Sequence, residues 1–274
     1  HSAGFEDTIL GDEAMNPESV LELEDYLRKY APIQIYEPGT VMAYSNYGAT
    51  LAGFLIETIA NTSFTQYINE NIFDSLDMDE SYFSYMLHPT NRSSKGYFNQ
   101  KNENNEVDPF YVNIIPAGGL FSSASDIAKF MQAHLNLGYY QNNSLLSPES
   151  TKLMHKLNFN MHTHSTGWAH GFMTKRYRNI SWIGHEGDIS GFTTDLNLFL
   201  EKNVGIFIAY NAEGKRMARE QLIYDFINEF FRVNDFKYLN SPNATKNDLK
   251  KFVGNYRTTR QVESHIMRIN QILI

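Results

Sequence analysis

The sequence of 274 residues contains no cysteine. Disulfide bonds, thiolate nucleophiles and cysteine-ligated zinc are therefore excluded. The chain also lacks an apolar run of the roughly 18 residues that a bilayer-spanning helix needs, so membrane association could come only from segments outside this sequence. Lysine and arginine are fewer than aspartate and glutamate, 23 against 31, and the net charge is −8. This balance argues against a nucleic-acid-binding groove.

Composition and length indicate a folded chain with one main domain. The 42% apolar and 14% aromatic content is ample for a hydrophobic core. Helix and strand patterns extend over residues 1–232, and residues 233–247 form a linker that contains Pro, Asn and Ser. Residues 248–274 resemble the start of a β-rich module that breaks off without a closing turn. We expect both ends to be cut from something longer.

Capping residues and apolar periodicity predict several helices, and the long irregular segment between them is predicted to form one wall of a cleft. Asn16 caps a helix that extends to Tyr30, and residues 75–115 are irregular, with short strands. The last helix, 213–232, has a predicted apolar face of Met217, Leu222, Ile223, Phe226, Ile227 and Phe230. The other predicted helices are one from Asn46 to about Asn61, one that Ser63 caps, one over 124–137 and one from Pro148 to Lys156.

The apolar period changes to that of strands after residue 166. Four successive strands are predicted, at residues 167–175, 180–185, 191–200 and 204–210. Short links between consecutive strands indicate an antiparallel sheet. The sequence therefore predicts an α+β fold, in which helices flank an antiparallel sheet.

Three hydrogen-bonding side chains, Tyr44-Ser45-Asn46, come together just before the second helix. One interpretation is structural, with Ser45 or Asn46 accepting a hydrogen bond from the first free N–H groups of the helix. The other is functional, because a polar loop fixed against a rigid helix suits a catalytic tyrosine. The tripeptide alone favours the helix cap.

A second polar group, His185-Glu186-Gly187, lies where one predicted strand ends and the next begins. A lone histidine is more often structural than catalytic, and no second histidine completes a His-Glu-x-x-His zinc motif. Gly187 is more informative, because glycine beside a strand lets a ligand backbone approach the strand edge.

Two further sets of polar residues are explained without a functional site. His162, His164 and His170 have the spacing of metal ligands, but neither an acidic partner nor a helical register supports a metal site. The acidic residues Asp12, Glu13, Glu22 and Glu24 are predicted to form a solvated helix face.

The two polar groups occur in the order found in the penicillin-recognising serine hydrolases, and the chain resembles the class C β-lactamase-like branch of that family. Tyr44-Ser45-Asn46 matches the family's Tyr-x-Asn element, and His185-Glu186-Gly187 its Lys/His-x-Gly element. Residues 1–5 resemble its His-Thr-Ser-Gly run, and 117–127 its Gly-Gly-Leu segment. The branch also contains penicillin-binding proteins, D-Ala-D-Ala carboxypeptidases, D-aminopeptidases and esterases. The resemblance implies an α/β sandwich with an additional helical subdomain.

The resemblance also assigns roles. Tyr44 would shuttle the proton, Asn46 would hold the substrate amide, and His185, in place of the usual lysine, would bind a substrate carboxylate or hydrogen-bond Tyr44. Gly187 would clear space for the substrate, and the backbone N–H of Asp188 would be one of two oxyanion donors. The implied substrate is a D-amino-acid peptide, a β-lactam or an ester, with no cofactor or metal. The implied location is the cell envelope or the extracellular space.

The sequence departs from the family at the nucleophile. No Ser or Thr has a Lys three residues later, so the Ser-x-x-Lys element is absent. Because residues 1–5 already match a segment downstream of that element, we expect a truncated fold that lacks its first strands and its nucleophile. We therefore expect this chain to be inactive by itself, although the intact parent would be a serine hydrolase.

Two alternatives to an enzyme remain. One is a non-catalytic homologue that binds penicillin or peptidoglycan-like peptides without turnover. The other is an unrelated α+β protein, in which Tyr44-Ser45-Asn46 is only a helix cap and His185-Glu186-Gly187 a turn. The distance between Tyr44 and His185 distinguishes the family from the unrelated protein, because the family requires both side chains in one cleft.

Overall fold

A computed structural model describes residues 1–87, 93–98, 106–162, 165–233 and 250–264. These residues form a mixed helix and sheet fold, which confirms the predicted α+β class with helices flanking an antiparallel sheet. The α-helices of the described residues are α1 (Leu23–Lys29), α2 (Asn46–Ala60), α3 (Phe64–Ile68), α4 (Ile115–Gly118), α5 (Ala124–Leu135), α6 (Pro148–His155) and α7 (Arg216–Phe230).

The strands of the described residues make one large sheet and three small ones. The large sheet has the order β13-β12-β11-β10-β9-β8, and all of its neighbouring strands are antiparallel. The strand bounds are β1 (Glu13–Ala14), β2 (Tyr82–Phe83), β3 (Met86–Leu87), β4 (Phe110–Val112), β5 (Leu120–Phe121), β6 (Tyr139–Tyr140), β7 (Asn143–Ser144), β8 (Phe159–Asn160), β9 (Gly167–Trp168), β10 (Met173–Tyr177), β11 (Ile180–Ile189), β12 (Phe192–Phe199) and β13 (Val204–Tyr210).

Two of the predicted strands differ from the observed ones. The stretch 167–175 is a hairpin, with β9 and β10 paired through Trp168 and Met173, and Gly171 in the turn has a φ of +79° that favours glycine. The strand predicted over 180–185 continues to Ile189, because β12 pairs with every residue from Ile183 to Ile189. His185-Glu186-Gly187 therefore lies inside β11 and not at a turn.

The first predicted helix is interrupted. Asn16 and Ser19 form a reciprocal capping box around a single 3₁₀ turn, and Val20 then leaves the helix with φ −66° and ψ 133°. The Leu21 N–H donates to the Asn113 side chain at 2.7 Å and not to the preceding turn. A long-range hydrogen bond thus overrides the helical pattern, and α1 begins only at Leu23.

Helices α5 and α7 cover opposite faces of the large sheet. Neighbouring residues on β11 show this, because Ile183 packs with Ile127 and Met131 of α5, whereas Trp182 packs with Ile223 and Ile227 of α7. On α7 only part of the predicted apolar face is buried. Three of its members are exposed, at 83% for Met217, 48% for Leu222 and 68% for Phe230.

Helices α1, α2 and α3 belong to a second part of the hydrophobic core. One buried cluster joins α1, α3 and the turns that follow α3, and another joins α1, α2 and β4. This helical layer lies beside the sheet and carries the start of α2, where Tyr44 is found. None of the described helices has the length and apolarity that a membrane crossing requires.

The predicted linker, 233–247, lies outside the described residues from 234 onward. The predicted β-rich module at 248–274 remains a prediction: residues 250–264 show turns and irregular backbone, and 265–274 are not described. The irregular segment contacts the N-terminal loop, where the Asp7 N–H donates to the Gln261 carbonyl at 2.8 Å.

Candidate active site

Ser45 fixes Tyr44 at the start of α2. The Ser45 backbone is extended (φ −150°, ψ 115°), and its hydroxyl accepts a hydrogen bond from the Gly48 N–H at 3.1 Å. The Ser45 N–H donates to Nδ1 of His1, also at 3.1 Å. The helix-cap interpretation is therefore confirmed for Ser45. The same cap holds Tyr44 at the edge of the helical layer.

Tyr44 and His185 come together although the sequence separates them widely. Their ring centroids are 6.4 Å apart, and the Trp168 ring lies 6.0 Å from Tyr44 and 5.9 Å from His185. His1 stacks on Tyr44 at 4.2 Å. The separation expected of an unrelated protein is thus not observed. Trp168 carried no sequence signal for this position, because only the β9–β10 hairpin brings it here.

The phenol of Tyr44 is half-buried beside a cation. The Arg260 guanidinium lies 4.8 Å from the centre of the Tyr44 ring. Burial raises the pKa of Tyr44 above its ordinary value; Arg260 offsets part of this effect, and Asp7 adds to it. Tyr44 is therefore protonated at neutral pH in this structure, and its hydroxyl is able to donate a hydrogen bond.

The His185 ring is neutral, and its proton position follows from its partner. Burial lowers the pKa of His185 below its ordinary value. Nδ1 lies 2.7 Å from the backbone carbonyl of Glu186. Because a carbonyl only accepts, Nδ1 carries the proton, and Nε2 presents a lone pair. His185 thus offers an acceptor beside the Tyr44 donor.

Asn46 is held by a residue for which the sequence suggested no such role. Its Nδ2 donates to Oδ2 of Asp12 at 3.2 Å, and the Tyr26 hydroxyl donates to Oδ1 of Asp12 at 2.7 Å. Asp12 is only 6% exposed, so the prediction of a solvated acidic face was wrong at this position. Asp12 anchors the Asn46 amide and leaves its carbonyl oxygen as an acceptor.

Gly187 pairs with Thr194 across β11 and β12. A Cβ atom built on Gly187 would lie 2.6 Å from the Thr194 hydroxyl oxygen, closer than packed atoms tolerate. That hydroxyl itself donates to the Gly187 carbonyl at 3.3 Å. A side chain at this position would therefore force the Thr194 hydroxyl to move.

The charged neighbours of Gly187 face the opposite side of the sheet from His185. Arg219 of α7 binds both Glu186 and Asp188, at 2.8 to 2.9 Å. Lys175 of β10 binds Glu186 at 3.0 Å and Asp195 at 2.8 Å. Burial alone would raise the pKa of Glu186, but Lys175 and Arg219 outweigh it and hold the pKa below its ordinary value. Glu186 is therefore ionised at neutral pH.

A cavity of about 310 Å³ lies on this α7 side of the sheet. Trp182, Glu186 and Asp195 line it, whereas Tyr44 and His185 do not. Trp168 also lines it, so the cavity adjoins the ring cluster of Tyr44, Trp168 and His185.

A metal site finds no support among the described residues. In that part of the chain, no group of three or more His, Asp or Glu side chains lies close enough to hold a metal ion. His162 and His170 belong to it, and His164 lies outside it.

The sequence and the fold of this chain resemble those of known proteins. The family model described as Beta-lactamase matches residues 1–226. Over 189 residues the chain is 26% identical to a protein of Escherichia coli O157:H7 named "Putative D-alanyl-D-alanine carboxypeptidase", covering 58% of this chain and 43% of that protein. The chain thus spans less than half the length of this relative.

Two solved structures share the fold. One is an octameric penicillin-binding protein homologue from Pyrococcus abyssi, with a TM-score of 0.63 and 22% identity over 82% of this chain and 54% of that one. The other is a D-amino acid amidase from Ochrobactrum anthropi, with a TM-score of 0.62 and 23% identity over 77% of this chain and 62% of that one. The family match covers most of the chain, and the chain belongs to the beta-lactamase family.

Proposed function

We propose that Tyr44, Asn46, His185, Gly187 and Asp188 form one wall of a serine-hydrolase site that works through an acyl-enzyme. The observation that carries the proposal is the 6.4 Å approach of the Tyr44 and His185 rings in a chain of the beta-lactamase family. The substrates are D-amino-acid peptides, β-lactams or esters. The names of the carboxypeptidase and amidase relatives favour amide bonds next to a D-amino acid.

Tyr44 is the proton carrier in this proposal. Its raised pKa suits a general acid that donates to the leaving group. The preceding step, in which Tyr44 accepts the nucleophile's proton, requires nearby positive charge to lower the pKa. The lysine of a Ser-x-x-Lys element supplies that charge in the family, and Arg260 is the cation that faces Tyr44 in this structure.

His185 orients Tyr44 in this proposal. A neutral imidazole is a weak partner for a substrate carboxylate but a good acceptor for a phenol. This favours the second of the two roles expected for His185. The replacement of the family's lysine by His185 also favours a peptidase or an esterase over a true β-lactamase.

The remaining residues bind the substrate. The Asn46 carbonyl oxygen accepts from the substrate amide, while its Nδ2 is held by Asp12. The Asp188 N–H stabilises the oxyanion, beside a second donor from the nucleophile. Loss of one such donor costs about 100- to 1,000-fold in turnover.

The nucleophile is the missing part of this site. None of the 274 residues forms a Ser-x-x-Lys element, and the hydroxyl of the nearby Ser45 caps α2. We propose that residues outside this sequence supply the serine and lysine, and that the 274-residue chain alone forms no acyl-enzyme.

Intact-mass spectrometry with a fluorescent penicillin tests this proposal. We expect no covalent adduct on the 274-residue chain, and an adduct on a longer form of the protein that includes a Ser-x-x-Lys element. A stable adduct on the 274-residue chain would show that the nucleophile is among these residues.

Turnover by the longer form tests Tyr44. A panel of D-amino-acid amides, D-alanyl-D-alanine peptides, β-lactams and esters identifies the substrate, and Tyr44→Phe should then lower kcat by at least about 100-fold. Tyr139→Phe, at an exposed tyrosine of β6, is the matched control. An unchanged kcat in Tyr44→Phe would remove Tyr44 from the mechanism.

A second candidate function is a non-catalytic receptor for the same ligands. The absence of a Ser-x-x-Lys element favours it. A receptor would bind the fluorescent penicillin or a D-alanyl-D-alanine peptide reversibly, and its longer form would also lack the element. Discovery of Ser-x-x-Lys in the longer form would exclude it.

A further inference from the structure

Arg219 is a buried arginine that hydrogen-bonds the strand of the candidate site, β11. It lies in the first turns of α7 and is 0% exposed. One terminal nitrogen lies 2.8 Å from the Glu186 carboxylate, and the two terminal nitrogens lie 2.8 and 2.9 Å from the two carboxylate oxygens of Asp188. The guanidinium also donates to the Thr194 carbonyl at 2.9 Å and reaches the Gly187 carbonyl at 3.4 Å.

These contacts hold both neighbours of Gly187. Glu186 and Asp188 are two residues apart on β11, so their side chains share the face that α7 covers. His185 and Gly187 consequently face the other side of the sheet. A single guanidinium thus fixes the strand immediately before and after Gly187.

The peptide between Gly187 and Asp188 is fixed as well. Its carbonyl receives the Thr194 hydroxyl at 3.3 Å on one side and Arg219 at 3.4 Å on the other. In a planar trans peptide the C=O and N–H bonds point in opposite directions. Holding the Gly187 carbonyl therefore sets the direction of the Asp188 N–H.

The shape of the arginine matters here, beyond its charge. Lys175 also carries a positive charge and also binds Glu186, but its second partner is Asp195 and not Asp188. A guanidinium presents a planar fork that binds a carboxylate through two parallel hydrogen bonds, whereas an ammonium is a point charge. The planar guanidinium binds Asp188 through two hydrogen bonds and Glu186 through a third at the same time.

We propose that Arg219 is a positioning residue that holds the Gly187–Asp188 peptide with the Asp188 N–H directed into the candidate site. The inference rests on the proposed function in one respect, because the direction of the Asp188 N–H matters for activity only if that N–H is an oxyanion donor. Arg219 touches no substrate and acts only through β11.

Nuclear magnetic resonance relaxation of the backbone amides tests the positioning directly. The order parameter of the Asp188 N–H should be about 0.85 in the wild-type chain and should fall below about 0.6 in Arg219→Lys. The Ile183 amide, in the core part of the same strand, should keep its value. Arg216→Gln is the matched control, because Arg216 lies one turn earlier on α7 in an exposed ion pair with Glu220.

Arg219→Lys keeps the charge and removes the fork, so the result is decisive. A local loss of order at Asp188 supports the inference, whereas wild-type order in Arg219→Lys shows that charge alone suffices and overturns it. If Arg219→Lys does not fold, Asp188→Asn replaces it, because the Asp188 side chain is 53% exposed. Wild-type order at Asp188 in that variant equally overturns the inference.

A titration with N-acetyl-D-alanine separates this inference from the proposed function. We expect the Asp188 amide signal of the wild-type chain to shift on binding, and the Kd to rise about tenfold in Arg219→Lys but not in Arg216→Gln. No shift in the wild-type chain would count against the proposed function, while the order parameters would still decide the role of Arg219.

Discussion

Ser45 and Asn46 lie at the N-terminus of α2, and both have partners in the N-terminal loop. Ser45 caps the helix and donates to His1, while Asn46 is held by Asp12. Residue type alone predicted the cap, because serine is one of the residues preferred at the N-cap of a helix. It did not predict Asp12 as a partner, because a carboxylate in a polar stretch looks solvated until the fold buries it.

Gly187→Ala should destabilise the protein, because the new methyl group would lie 2.6 Å from the Thr194 hydroxyl oxygen. We expect the free energy of unfolding to fall by about 1–3 kcal/mol, the usual cost of overpacking. Urea denaturation measures it. Gly254→Ala is the control, since nothing lies within 4 Å of its Cβ position.

The double variant Gly187→Ala/Thr194→Ala identifies the cause. Removal of the threonine hydroxyl should restore part of the lost stability, which gives a favourable coupling between the two sites. Simple addition of the two single effects would show that the clash is not with Thr194.

At the scale of elements, α5 and α6 are joined by a histidine pair. Nδ1 of His134 lies 3.0 Å from Nε2 of His155, and one of the two nitrogens must carry the proton that the other accepts. Phe130 and Phe172 pack edge-on against His134. The predicted helices 124–137 and 148–156 are confirmed within two residues at each end, but their periodicity gave no sign of this contact.

The histidine pair predicts acid sensitivity. Burial, with a smaller effect from His155, lowers the pKa of His134 from 6.5 to about 4. The unfolded chain therefore binds more protons than the folded chain between these values, and the free energy of unfolding falls as pH drops from about 6.5 to 4. The total loss from this residue is at most about 3 kcal/mol.

Urea denaturation of His134→Asn at pH 7, 5.5 and 4.5 checks this expectation. The variant should be less stable at pH 7 but should lose less stability on acidification than the wild-type chain. His170→Gln, at an exposed histidine, should follow the wild-type profile. Equal pH dependence in all three proteins would show that His134 does not titrate in this range.

At the level of the whole molecule, residues 260–264 contact the N-terminal loop. The carboxylate of the buried Glu6 accepts hydrogen bonds from the backbone N–H of Glu263 at 2.7 Å and of Ser264 at 2.9 Å, and from the Ser264 hydroxyl. Arg260 binds Asp7 at 2.6 Å and faces the Tyr44 ring. Periodicity is a local property, so it does not reveal a contact between the two ends of a sequence.

Glu6→Gln should detach this segment, because an amide nitrogen would replace one of the two accepting oxygens. We expect trypsin to cleave after Arg257 and Arg260 at least about tenfold faster, the equivalent of losing a charged hydrogen bond. Glu18→Gln, at an exposed glutamate, is the control. Unchanged cleavage rates would show that Glu6 does not hold the segment.

The same contact should depend on pH. Burial alone would raise the pKa of Glu6, but hydrogen bonds from Ser264, Glu263 and Ile33 outweigh it and hold the pKa below its ordinary value of 4.5. The stabilisation is therefore complete above about pH 4.5 and is lost as pH falls through the lower pKa of the folded state. Trypsin is inactive there, so hydrogen exchange of the Ser264 amide measures it.

Local sequence patterns were enough to predict the fold class, the antiparallel sheet and the two polar groups around Tyr44 and His185. Strand period, turn residues and caps are encoded within a few neighbouring positions, and residue types reveal which side chains are capable of chemistry. The order of the motifs along the chain then identified the family before any distance was known.

Which side chains meet depends on the tertiary structure. It placed Trp168 and Arg260 beside Tyr44, interrupted the first predicted helix through Asn113, and buried Arg219 beneath the strand that carries Gly187. Each of these contacts joins residues far apart in the sequence, and its energy comes from burial and long-range hydrogen bonds. Local patterns carry no record of such partners, because the partners exist only once the sheet and its covering helices have assembled.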